Sequence, residues 1–234
     1  MATRRIYRWV PPPGQNLLSM EISWLRLTRG KSRKIGLTAS SLWGGQKPAK
    51  VDADLSSGWT VDTIKFALND ALVNWAYRLT KDVEIPASDS VSRFQAQFTD
   101  HPKTRKPPFV TIGDTLSAST YWHGHSLNDW ANDWVKLYSS QQGNFMTSNM
   151  EDSGTMTALH RLARVNKVDA NRVLVLRTAS NFTVPPPGRT AAWSATAEYP
   201  DKGRASLEAA YRVGSVVVKT LVANWDQYKN ELPQ

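Results

Sequence analysis

Two short segments carry the residue types best suited to binding chemistry. In Asn149-Met-Glu-Asp-Ser-Gly154 a carboxylate stands where a helix should begin; in Leu174-Val-Leu-Arg-Thr-Ala-Ser-Asn181 an amide closes an apolar strand. Ionised Glu151 can accept hydrogen bonds from two neighbouring hydroxyls, and Asn181 can donate to and accept from the edge of a heteroaromatic ring. A vicinal diol joined to a heterocycle is the outline of a nucleoside. A third segment, Gly113-Asp-Thr-Leu-Ser-Ala-Ser-Thr-Tyr-Trp122, reads as a polar loop leaving a strand that Gly113 ends, and it carries an aromatic ring, Tyr121. Ligands of α/β sheets gather at the carboxyl ends of strands, where all three segments are expected. Each also has a purely structural reading. Tyr121 serves as well as a core tyrosine beside a turn, Glu151 as a first-turn acid complementing a helix dipole, and Asn181 as a turn residue before Pro185-Pro-Pro-Gly188.

The elements that must position these residues follow from periodicity. Asn69 can cap a helix whose face is Leu72, Trp75, Ala76 and Leu79. Phe94, Ala96 and Phe98 alternate as in a strand, with a loop over 101–108 and a second strand over 109–112. Ser126-x-x-Asp129 has the form of a capping box before a stripe of Leu127, Trp130, Ala131, Trp134, Val135 and Tyr138. A short strand is expected over 144–147, a helix over 155–165 and a buried strand of the parallel type over 173–176. A long amphipathic helix, with Leu207, Ala210, Tyr211, Gly214, Val217, Val218, Leu221, Trp225 and Tyr228 at three- and four-residue steps, should cover a sheet. Alternating strands and helices over 60–230 place the chain in the α/β class with a parallel or mixed sheet.

Composition restricts the function further. The net charge of +9 lies entirely in residues 1–50, which hold ten Lys/Arg and one acid, Glu21; residues 51–234 hold nineteen of each sign. The body is electrically balanced, which argues against nucleic acid as its partner, although a basic arm with Trp9, Trp24 and Trp43 has the ingredients of one. Residues 1–58 show no sustained period and form an irregular basic head, so the organised domain is expected at 59–234. The sequence has no cysteine, which removes disulfides, thiolate catalysis and cysteine-ligated zinc. Its longest runs without Asp, Glu, Lys or Arg are 14 residues, at 115–128 and 137–150; a membrane helix needs about 20 apolar residues. No signal-peptide core follows the first arginines, because Pro11-Pro-Pro-Gly14 interrupts it. His123-Gly-His125 has a metal-site look, with Asp129 and Asp133 as further ligands, but the helical stripe assigns those aspartates to the solvated face. No metal or other cofactor is expected.

Several stretches together resemble the purine nucleoside permease family, whose fold is that of nucleoside phosphorylases. They are Phe66-Ala-Leu-Asn69, Pro108-Phe-Val110, the run 117–124, Leu127-Asn-Asp-Trp-Ala-Asn-Asp-Trp-Val135, Met150-Glu-Asp-Ser-Gly-Thr155, Val173-Leu-Val-Leu-Arg-Thr-Ala-Ser-Asn181, Pro186-Pro-Gly188 and the final helix. The resemblance implies a three-layer α/β sandwich with a mixed sheet, of which this sequence covers the C-terminal part. It implies roles as well. Tyr121 falls where the family's base-stacking aromatic lies, Met150 where a methionine packs under the ribose, Glu151 where a glutamate binds the ribose hydroxyls, and Asn181 where the purine is held at N7.

The departures from that pattern matter. Ser119 replaces an expected aspartate and Asn149 a glutamate, and Asn181 stands where phosphorylases place an asparagine in some branches and otherwise an aspartic acid that can protonate the leaving base. Losing that proton donor removes a contribution of roughly 10²–10⁴-fold. The glycine-rich strand ends of the phosphate site are not visible, so the resemblance favours binding of a purine nucleoside, linked to its transport, over cleavage of the N-glycosidic bond. It also implies a secreted, periplasmic or membrane-associated setting for full-length relatives, and leaves room for a homo-oligomer or for a truncated product without activity.

Overall fold

The computed structural model describes residues 2–8, 65–118 and 121–234, the first of these as backbone. In chain order the elements are β1 (Ala2–Arg8), β2 (Lys65–Ala67), α1 (Asp70–Thr80), α2 (Asp89–Gln95), a 3-10 turn (Pro102–Arg105), β3 (Ile112–Ser117), α3 (His125–Tyr138), β4 (Phe145–Asn149), α4 (Asp152–Arg164), a 3-10 turn (Ala170–Arg172), α5 (Ala191–Thr196), a 3-10 turn (Pro200–Gly203), α6 (Arg204–Ala223) and α7 (Trp225–Tyr228). The strands form one sheet in the order β2-β1-β3-β4. The chain divides into two compact units, one of Met1–Arg4, Ala67–Gly113 and Ala158–Gln234, the other of Arg5–Phe66 and Asp114–Thr157. The expectation of an irregular head needs correction at one place, since Ala2–Arg8 is a strand of the sheet. Thr3, Ile6 and Tyr7 are strand-forming types, and seven residues are too few for a period to stand out. The rest of the head, residues 9–58, lies outside the described residues.

The unit containing residues 114–157 is built on β3, α3 and β4. β3 and β4 pair in parallel, with Asp114 opposite Phe145, Thr115 opposite Thr147, Leu116 opposite Ser148 and Ser117 opposite Asn149. A parallel pair needs a crossover, and α3 supplies it. Most of its expected stripe is the core: Trp130, Ala131, Trp134, Val135 and Tyr138, joined by Leu137, pack with Leu116, Ala118 and Trp122, while Leu127 is only partly buried. Four aromatic rings run in series, with centroids 5.1 Å apart for Trp122–Trp130, 4.6 Å for Trp130–Trp134 and 4.6 Å for Trp134–Tyr138. Such pairs contribute roughly 0.5–1.5 kcal/mol each beyond their buried area. The capping box does not form. α3 begins two residues earlier than the box requires, on Gly124 with φ 103° and no side-chain cap. That backbone angle is one only glycine adopts cheaply, so the turn chemistry of Gly124 overrides the Ser126 signal.

β3 also departs from expectation. Gly113 was expected to end a strand over 109–112, but β3 runs from Ile112 to Ser117 with residues 113–117 buried. Its polar residues are absorbed by hydrogen bonds inside the unit: Asp114 Oδ2 accepts from Asn144 N at 2.6 Å, and Thr115 Oγ1 donates to Thr147 O at 3.0 Å. Polar side chains that find internal partners look like loop residues in a sequence.

In the other unit, Asn69 caps α1 as expected, its Oδ1 accepting from Ala71 N at 3.0 Å and Leu72 N at 3.2 Å. Leu72, Trp75 and Ala76 pack with Leu174, Val217, Leu221, Tyr228 and Leu232, and Trp75 meets Tyr228 edge-on at 5.7 Å. The final helix packs against α1, and a break at Asn224 separates α6 from α7. The strand expected at Phe94–Ala96–Phe98 is helix α2 and the turn after it. Phe94 and Phe98 satisfy an i, i+4 spacing as well as an alternation, and Ser88 decides between them by capping Val91 N at 3.2 Å. Residues 173–176 hold an isolated bridge at Leu176 in place of the expected strand, and none of the four is buried.

Candidate nucleoside site

The parallel pairing brings Ser117 and Asn149 to the same end of the sheet, and Ala118 N donates to Asn149 O at 2.9 Å just beyond it. From here one connector leads through Tyr121 and His123 into α3, and the other through Met150 and Glu151 into α4. Carboxyl ends of adjacent parallel strands with helices starting above them form the usual ligand position of α/β folds.

Asn149 organises the second connector. Its Oδ1 accepts from Glu151 N at 3.1 Å and Asp152 N at 2.9 Å, while Nδ2 donates to Thr115 Oγ1 at 2.9 Å and to Asp152 Oδ2 at 2.9 Å. Ser153 N is taken by Ser117 Oγ at 2.9 Å. The first amides of α4 are thus occupied from inside the protein. The dipole end of this helix is closed as an anion site, and two carboxylates stand at it, Asp152 buried and Glu151 exposed. Glu151 Oε2 accepts from Met150 N at 3.3 Å; Met150 is 53% exposed beside it.

On the first connector Tyr121 is 46% exposed and lies against the imidazole of His123, ring centroids 5.5 Å apart and planes 20° from parallel. Trp122 turns the other way into the core, donating Nε1 to Leu127 O at 2.7 Å. His123 is buried at 8% exposure, and neither ring nitrogen meets a protein partner. Burial, reinforced by the neighbouring His125, holds its pKa below the ordinary value, so the ring is neutral at pH 7. Each buried nitrogen left without a partner costs about 1–3 kcal/mol. In the sequence this histidine reads only as half of a metal motif. Among the described residues no group of three His, Cys, Asp or Glu side chains is arranged to hold a metal.

Tyr121, Met150 and Glu151 all belong to one unit, whereas Asn181 belongs to the other. Asn181 is half-buried in a bend after residues 173–176, and is followed by Phe182, whose ring packs on Phe98 at 4.3 Å and stacks over Phe94 at 6.1 Å.

The polar ends of a parallel strand–helix–strand, with a carboxylate, a thioether and an exposed tyrosine, define a candidate site for a small polar ligand with an aromatic part. The sequence profile of the purine nucleoside permeases (NUP) matches residues 38–233, and the chain belongs to that family. It is similar to a purine nucleoside permease of Candida albicans, 28% identical over 182 residues, covering 76% of this chain and 44% of the relative. The corresponding protein of Candida albicans strain SC5314 is 27% identical over 178 residues, 75% of this chain and 43% of its own length. A probable purine nucleoside permease of Schizosaccharomyces pombe is 26% identical over 148 residues, 54% of this chain and 42% of its own. The chain spans less than half the length of these curated relatives. No solved structure matches it. Among the described residues no helix is long and apolar enough to cross a membrane.

Proposed function

We propose that the chain binds a purine nucleoside at the carboxyl ends of β3 and β4, as part of the nucleoside transport for which its relatives are named, and that its fold is a three-layer α/β sandwich of the phosphorylase kind. The observation that carries this reading is the Asn149 network, which spends every hydrogen bond of the amide on the protein and leaves Glu151 exposed as the carboxylate of the connector. Glu151 takes the ribose hydroxyls, Met150 the apolar face of the sugar, and Tyr121 the base by stacking.

The reading favours binding over cleavage. An amide at position 181 donates a hydrogen bond but delivers no proton to a departing base. Incubating the protein with inosine, with and without phosphate, while titrating adenosine calorimetrically tests both parts. Measurable adenosine binding with little or no release of free base is the expected result. Release of base at ordinary enzymatic rates, or no binding at millimolar nucleoside, would overturn it. In a protein that does release base slowly, Asn181→Asp should raise the rate.

A further inference from the structure

α6 carries more apolar surface than the packing of its unit uses. Val217 and Leu221 pack with Leu72, Trp75 and Ala76 of α1. Leu207, Tyr211, Val218 and Val222 recur at steps of four, seven and four residues, which sets them along a single stripe of the helix. Trp225 follows three residues later, at the start of α7. All five are exposed. A helix of 20 residues is about 30 Å long, so the stripe is an extended surface, and contiguous apolar surface of this kind marks a binding face. Two of its members are Tyr and Trp, whose rings are apolar while their O–H and N–H keep partners in water.

The charges beside the stripe select its partner. Arg204, Arg212, Lys219 and Lys229 accompany two acids, Glu208 and Asp226. Each acid is already held by a base close by, Glu208 Oε1 by Arg212 at 2.6 Å and Asp226 Oδ1 by Lys229 Nζ at 2.8 Å. The surplus is positive. Lys219, next to Val218, is exposed and forms no salt bridge among the described residues. A second copy of the chain fits this edge poorly. A two-fold axis that sets Leu207 opposite Trp225 and Tyr211 opposite Val222 also sets Glu208 opposite Asp226 and Arg212 opposite Lys219. Like charges then meet along one edge, which disfavours the pairing. An anionic bilayer surface has no such conflict. Its acyl boundary takes the aliphatic side chains, its headgroup level suits Tyr and Trp, and its phosphates and carboxylates attract the bases.

We propose that α6 and the start of α7 dock the chain on an anionic membrane surface, with the stripe from Leu207 to Trp225 in the headgroup layer and Lys219 on its basic edge. The helix lies on the bilayer and does not cross it, in keeping with its charges and with the lack, among the described residues, of a helix long and apolar enough to span. This surface is separate from the nucleoside site, and its test does not depend on nucleoside binding.

The chain has no cysteine, so a single introduced one reports on its own position. Val222→Cys and, as a control on α2, Ser92→Cys are labelled with an environment-sensitive fluorophore. Each is titrated with vesicles of equal parts phosphatidylcholine and phosphatidylserine. The emission at position 222 should shift to the blue, and that at position 92 should not. Position matters because the basic residues 1–50 attract anionic vesicles by themselves. Binding through them alone leaves the label at 222 unshifted and overturns the proposal. Adding Leu207→Ser with Tyr211→Ser should abolish the shift. Lys219→Glu should raise the lipid needed for half of it at least about fivefold. These side chains are exposed, so the variants should keep the melting temperature of their parent. A shift that survives either change at full strength overturns the proposal. So does a label at 222 already shielded from water without lipid, or a lipid-free dimer that Tyr211→Ser splits, because protein then covers the stripe.

Discussion

Asn149 shows how one side chain can decide what its neighbours do. The amide accepts twice and donates twice, and a carboxylate of similar shape can only accept. Asn149→Ala should cost about 0.5–2 kcal/mol through loss of the cap on α4, read from urea denaturation. Asn149→Glu should cost more than Asn149→Ala despite restoring the residue type of the phosphorylases. It would face the buried Asp152 carboxylate with a second one, where Nδ2 now donates. His123 gives a prediction in pH. Its folded-state pKa is lowered, so as pH falls below the ordinary value of 6.5 the unfolded chain takes up the proton first. The unfolded state then binds more protons, and stability decreases. The contribution is fully present above that value and lost below it, so His123→Phe should flatten the stability profile as pH falls below about 6.5.

At the scale of elements, glycines fix the connections that periodicity does not show. A Cβ on Gly143 would sit 2.6 Å from Val135 Cγ1 and 2.6 Å from Ser139 Oγ, at the turn between α3 and β4. Valine is stiff at χ1 and cannot swing clear. Gly143→Ala should therefore destabilise by roughly 1–3 kcal/mol, the usual range for overpacking; an unchanged melting temperature would contradict this packing. α6 provides the contrast. Val217 and Leu221 pack toward α1, while Leu207, Tyr211, Val218 and Val222 are 72%, 71%, 58% and 70% exposed. Val218→Ser should stay within about 0.5 kcal/mol of wild type, whereas Trp75→Ala in the cluster should cost about 3–5 kcal/mol. The same elements show what could be read in advance. α1 and α3 were legible because a long apolar stripe persists through several turns and, at Asn69, a cap marks the start. α2 was not, because two phenylalanines four residues apart fit both periods and only Ser88 distinguishes them. The extent of β3 was hidden by side chains that are polar yet internally bonded. Of the candidate site, Tyr121, Met150 and Glu151 were legible as residue types, while the buried nitrogens of His123 were not, since orphaned nitrogens are a property of packing.

Across the whole chain, family membership and the site rest on different supports. The family profile covers most of the sequence, including the Met150-Glu151 segment and the bend at Asn181. The local geometry explains why that segment is arranged as it is, independently of any relative. Affinity should be modest. A charge-assisted hydrogen bond from Glu151 contributes roughly 1.5–3 kcal/mol, and association itself costs on the order of 4–15 kcal/mol. The most direct test of the account is a calorimetric titration of adenosine into the wild type and into Glu151→Ala, at matched folding. The account predicts that binding in the wild type weakens at least tenfold in the variant, the loss of a single charge-assisted contact. Equal affinity in the two proteins would place the nucleoside somewhere other than the carboxyl ends of β3 and β4 and contradict the account.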